Sequence, residues 1–67
     1  MPRYELRPLR RISGRGLAGR WSDVVAFEAA DDNAAIPEGR RRAKLIGGAD
    51  LLRIVDTDDV QVDSWDA

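Results

Sequence analysis

The alternation of apolar and polar positions changes rhythm several times along the chain, and each change marks an element. Tyr4 and Leu6 alternate with Arg3, Glu5 and Arg7, the period of two of a half-buried strand, which predicts a strand over about 3–11. Pro8 falls inside it and has no N–H to give to a ladder, which predicts an edge position. The glycine-rich run 13–19 reads as a flexible loop. Over 21–29 two patterns compete. Val25 and Phe27 on one face, with Val24 and Ala26 on the other, fit a strand, whereas Leu17, Trp21, Val24, Val25 and Glu28 line up at helical spacing. Periodicity alone does not settle so short a run. The strand is preferred because it makes residues 3–29 a hairpin with the glycines at its turn.

Asp31-Asp32-Asn33 is a helix start, with acidic residues where the macrodipole favours them. The helix it opens is predicted to reach about Leu45 or Ile46. Arg40, Arg41, Arg42 and Lys44 lie near its end, and Gly47-Gly48 stops it. Ile36, Ala43 and Ile46 mark its buried stripe, and Gly39 allows close approach to a sheet. Pro37 either starts this helix or kinks it.

The clearest local pattern is Leu51–Trp65, two apolar runs separated by Asp56-Thr57-Asp58-Asp59. Aspartates bond nearby backbone N–H groups and tolerate turn dihedrals, so this is a hairpin with an acidic turn. Leu52 and Ile54 are expected to face the core. Leu51 and Val55 then lie opposite, as on a central strand covered on both sides or on an oligomer surface. Strict alternation puts Val60, Val62 and Ser64 on one face of the last strand, and Gln61, Asp63 and Trp65 on the other. The predicted fold class is α+β: one small domain over 1–67, an antiparallel sheet with one helix on one face, order β-β-α-β-β.

Length changes the picture because a chain of 67 residues buries only about 60% of its unfolded surface. A homodimer or a larger partner would relieve that. Without cysteine there is no disulfide framework and no thiolate site, which favours a cytoplasmic setting. No apolar run is long enough to cross a membrane as a helix. The net charge of −1 conceals a split: residues 1–20 carry six Arg against Glu5, and residues 45–67 carry six Asp against Arg53. Such halves either neutralise one another across a sheet or face different partners.

Candidate chemistry is sparse. Gly14-Arg15-Gly16-Leu17-Ala18-Gly19 matches G-x-G-x-x-G formally, but the dinucleotide motif needs a helix next and a βαβ unit around it. A glycine-rich hairpin loop explains it better. With no His and no Cys, the commonest general base, the thiolate nucleophile and the usual zinc ligands are missing, so no enzyme is expected. The aspartates do not make an EF-hand, because Val60 stands where a ligand is needed and no glycine follows. No metal and no cofactor is expected.

Two binding surfaces are left. Asp56, Asp58, Asp59 and Asp63, with Trp65 as an apolar anchor, suit a protein partner with a basic surface, since aromatics rimmed by charge are common at interface hot spots. Small acidic proteins of this kind include stoichiometric inhibitors that occupy a basic groove; phage anti-CRISPR proteins are one class of this size, an analogy of type only. The alternative surface is Arg7, Arg10, Arg11, Arg15 and Arg20, suited to nucleic-acid phosphate, although a pI of about 5.2 is low for a nucleic-acid binder. Self-association through an edge strand or Trp65 is a third reading.

Overall fold

The computed structural model describes residues 1–12, 14, 16–19 and 24–67. Its element order is β1 (Arg3–Ile12), β2 (Gly16–Gly19), β3 (Val25–Glu28), α1 (Asp32–Ala43), β4 (Leu51–Val55) and β5 (Gln61–Asp66). The strands form one antiparallel sheet in the order β2-β1-β4-β5, with β3 also on β1. The α+β class holds. The expected second strand exists as two short ones: β3 pairs with Arg3–Leu6 and β2 with Leu9–Ile12, on the same edge of β1. Gly16–Gly19, expected as loop, is therefore ladder, and within the described part of this run Gly14 and Gly16 take the positive φ of a turn. Trp21 lies outside the described residues.

β1 is a central strand, since β4 pairs along its other edge from Glu5 to Leu9. The edge position predicted from Pro8 is thus corrected, and the physical rule behind it survives. Leu9 O accepts from Asp50 N–H on the β4 side, and Pro2 O accepts from Ala29 N–H on the β3 side. Backbone groups alternate in direction along a strand, so the Pro8 nitrogen faces the β2/β3 edge. There the described pairing with β3 ends at Leu6 and that with β2 begins at Leu9, so Pro8 belongs to neither ladder.

Tyr4, Leu6, Leu52 and Ile54 point to one face of the sheet and are buried with Phe27, Ala29, Ala35 and Ala43. The Tyr4 and Phe27 rings stack at 5.8 Å. α1 covers this face. Asp31 caps it, its carboxylate accepting from Ala34 N–H at 2.8 Å, and Pro37 lies inside the helix rather than at its start. The buried stripe is Ala35, Gly39 and Ala43, one residue per turn and all small, while Ile36 and Ile46 are only half-buried. The helix thus lies close on the sheet, which supplies the bulk. At its end Leu45 N–H and Ile46 N–H turn back to the Arg42 and Ala43 carbonyls, so the helix stops at Ala43, two or three residues short of the predicted end.

β5 contains a bulge. Ile54 pairs with Asp63 but Val55 with Gln61, so Val62 is the extra residue and the alternation slips. Gln61 and Ser64, expected on opposite faces, share one and are joined by a side-chain hydrogen bond of 3.3 Å. Asp63 and Trp65, opposite Ile54 and Leu52, lie on the helix face, and Val62 packs against the core beside them. No described helix is long and apolar enough to cross a membrane.

Candidate functional site

The acidic turn is built from its own first residue. The Asp56 carboxylate accepts from Asp58 N–H and Val60 N–H, both at 2.9 Å. The Asp56 carbonyl accepts from Asp59 N–H, and Val60 O from Asp56 N–H. This is the self-bonding expected of turn aspartates. It carries Asp59 to a φ of 63° and directs its carboxylate 2.6 Å from Arg7. Asp63 is matched too, 3.0 Å from Arg40. The same Arg40 guanidinium lies 4.5 Å over the Trp65 ring, a cation–π contact that covers the indole. Trp65 is half-buried, so the picture of an apolar anchor standing free on a polar face is corrected. The physical reason is the bulge, which puts Asp63 and Trp65 beneath a helix arginine. Of the five residues expected to meet a partner, Asp56 shapes the turn, Asp59 and Asp63 are ion-paired, and Trp65 is covered. Asp58 alone is exposed with a carboxylate unpartnered among the described residues.

The arginines divide the other way. Arg7 is half-buried, donating to Glu5 from Nε and Nη2 at 3.0 and 2.7 Å and pairing with Asp59. The Glu5 hydrogen bond, outweighing the effect of burial and helped by Asp59, holds the Arg7 guanidinium above its ordinary pKa. On α1, Arg41 and Arg42 both contact Glu38, at 2.7 and 2.8 Å. These bonds hold the Glu38 carboxyl below its ordinary pKa. Arg10 and Arg11 are exposed, and neither side chain has an acidic partner among the described residues. Arg15 and Arg20 lie outside the described residues.

Arg10 and Arg11 sit on a two-stranded arm. Pairing of β1 with β4 ends at Leu9, whereas pairing with β2 continues to Ile12, so Arg10–Ile12 and Gly16–Ala18 extend the sheet as a ribbon. Exposed Ile12 and Leu17 share it. Its base is clasped by Asp50, whose carboxylate accepts from Arg11 N–H at 2.7 Å while its own N–H donates to Leu9 O. The long dimension of the molecule is 38 Å. The arm occupies one end of the sheet, and the 56–60 turn lies at the other, beside Glu5. The charge split is therefore carried into space only in part: Arg10 and Arg11 lie at the arm end and Asp56, Asp58 and Asp59 at the other, but Asp50 stands at the base of the arm and Arg7 beside the turn. Among the described residues, Arg7–Asp59 is the ion pair that joins the N-terminal arginines to the C-terminal aspartates.

Two residues matter that sequence reasoning passed over. Asp50 was counted only as charge; its signal was an aspartate just ahead of a strand. Arg53 stands in the middle of the apolar run of β4, directly opposite Arg7, and its buried Nε has no hydrogen-bond partner among the described residues. An arginine inside Leu-Leu-Arg-Ile-Val was the available signal. Among the described residues no group of three acidic or otherwise ligating side chains is placed to hold a metal. Comparison with protein-family models, with curated proteins and with solved structures finds no match in any of the three.

Proposed function

We propose that this chain is a non-enzymatic binding domain that engages the phosphate backbone of nucleic acid through the β1–β2 arm. One observation carries the reading: Arg10 and Arg11, exposed and without acidic partners among the described residues, lie on a ribbon that no described strand or helix flanks on its β4 side. Adjacent strand residues point to opposite faces, so the two guanidinium groups straddle the ribbon. A two-stranded ribbon is narrow enough for a major groove. The acidic turn at the far end of the molecule repels phosphate and favours approach arm-first, which reconciles the reading with the low pI. A cytoplasmic setting, where nucleic acid is at hand, suits it.

The test is fluorescence anisotropy with a labelled duplex of about 20 base pairs at salt from about 50 to 200 mM. Wild type is expected to bind with a steep salt dependence. Arg10→Ala with Arg11→Ala should weaken binding and lower the slope of log affinity against log salt by about two, one per phosphate contact. Unchanged affinity in the double variant would sink the proposal.

A second reading, a protein partner with a basic surface held by the β4–β5 turn, draws its support from exposed Asp58. A stoichiometric inhibitor would act this way. In that case Asp58→Lys abolishes capture of the partner and the arm variants do not.

A further inference from the structure

We infer that the nucleic-acid contact runs beyond the arm across the face of the sheet opposite α1, and that Arg53 is its second anchor; this rests on the reading of the arm just given. Arg11, Arg7 and Arg3 are alternate residues of β1 and project to that face, the odd-numbered side of a strand whose Tyr4 and Leu6 meet the helix. Arg53 joins them from β4, opposite Arg7. Four residues of strand separate Arg11 from Arg7, about 13 Å. Arg53 thus continues the line that Arg11 begins at the base of the arm.

Like charges directly opposite on neighbouring strands oppose folding, and the structure offsets only one of this pair. Arg7 has Glu5 and Asp59. Arg53 has no ion pair among the described residues, and its Nε–H is buried with no acceptor. Its flanking residues on the same face are half-buried Leu51 and buried Val55, and across β5 it meets Ser64, none of them a counter-charge. Among the described residues, the other acids of this face, Glu28 and Asp66, belong to the outer strands, opposite Arg3 and Leu51. Among the described residues, Arg53 is thus the guanidinium at the centre of the face with no carboxylate bonded to it, as Arg11 is at the arm end. A phosphate there supplies the missing acceptor once the side chain rotates, and guanidinium groups favour such two-point contacts. A second copy of the chain packed face to face about a central two-fold axis would bring Arg53 against its own counterpart, so charge selects an anionic occupant.

The experiment uses wild-type protein labelled with ¹⁵N at arginine, titrated with the same duplex and followed at the side-chain Nε–H resonances. Arg53 is expected to shift together with Arg10 and Arg11, while Arg41, held by Glu38 on the helix, stays put. Arg53→Gln, with folding confirmed by circular dichroism, should lower the salt slope by about one. If that variant does not fold, the wild-type titration still decides. A silent Arg53 resonance alongside responsive Arg10 and Arg11 would confine the contact to the arm and overturn the inference alone. Absence of binding by wild type would remove both the inference and the reading beneath it.

Discussion

Gly39 of α1 lies directly on Ile54 of β4: a Cβ added to it would stand 2.8 Å from Ile54 Cγ1 and closer still to Cδ1, with Phe27 Cζ at 3.3 Å. Ile54 is fully buried and stiff at χ1, so it yields poorly. Gly39→Ala gains about 1 kcal/mol of helix propensity against an overpacking cost of about 1–3 kcal/mol. Net destabilisation is expected, read as a lower urea midpoint. Ile54→Val removes the Cδ1 atom and should recover part of the loss in the double variant. Simple additivity of the two changes would show that the clash is relieved elsewhere.

Tyr4 is the one tyrosine of the chain and is buried, its Oη donating to Asp32 Oδ1 at 2.9 Å. Burial first, then the Asp32 bond and nearby aspartates, push its pKa above 10.0. The folded state therefore keeps the phenol proton longer than the unfolded chain does. The resulting stability is fully present below the unfolded pKa and is lost as pH rises through the folded one. Tyrosinate absorbance should appear late and together with unfolding. Tyr4→Phe should cost about 1 kcal/mol at neutral pH and flatten the alkaline limb of the stability curve. A tyrosinate signal at the ordinary pKa in the folded protein would refute this.

The features legible in the sequence were those whose chemistry is local. The Asp56 turn, the Asp31 cap and the thin helix face at Gly39 each follow from residues within a few positions of one another. What was hidden depends on distant partners. Pro8 announces a missing donor but not which edge it faces, so a central strand whose proline falls between two described ladders reads like an edge strand. The bulge at Val62 shifts the faces of β5 by one residue, which no alternation count can anticipate. That shift places Asp63 and Trp65 under Arg40. It turns one residue of the apparent acidic surface, Asp63, into the partner of a helix arginine.

Asp59 pairs the left-handed backbone with an ion pair to Arg7, and substitutions separate the two. Its side chain is 70% exposed, so the ion pair contributes at most about 1 kcal/mol. Asp59→Asn, which tolerates the same dihedral, should lie within about 0.5 kcal/mol of wild type. Asp59→Ala retains the strained φ and should fall about 1 kcal/mol below Asp59→Gly. Equal urea midpoints for Ala and Gly would mean the turn relaxes out of this conformation.

Asp50 ties the arm to the sheet through its carboxylate at Arg11 N–H and its N–H at Leu9 O. Asp50→Ala keeps the second bond and loses the first. Amide exchange should then accelerate at Arg11 and along the arm while β4 and β5 remain protected. Asp50→Asn keeps an oxygen that can accept from Arg11 and removes a negative charge beside the exposed arginines. Under the nucleic-acid reading it should bind duplex more tightly than wild type, because phosphate no longer meets that carboxylate. Ala removes the same charge but frees the arm, so its affinity should fall below that of Asn by the cost of reordering the ribbon. If Ala and Asn bind alike while differing in Arg11 exchange, the order of the arm is irrelevant to binding and only its charge counts.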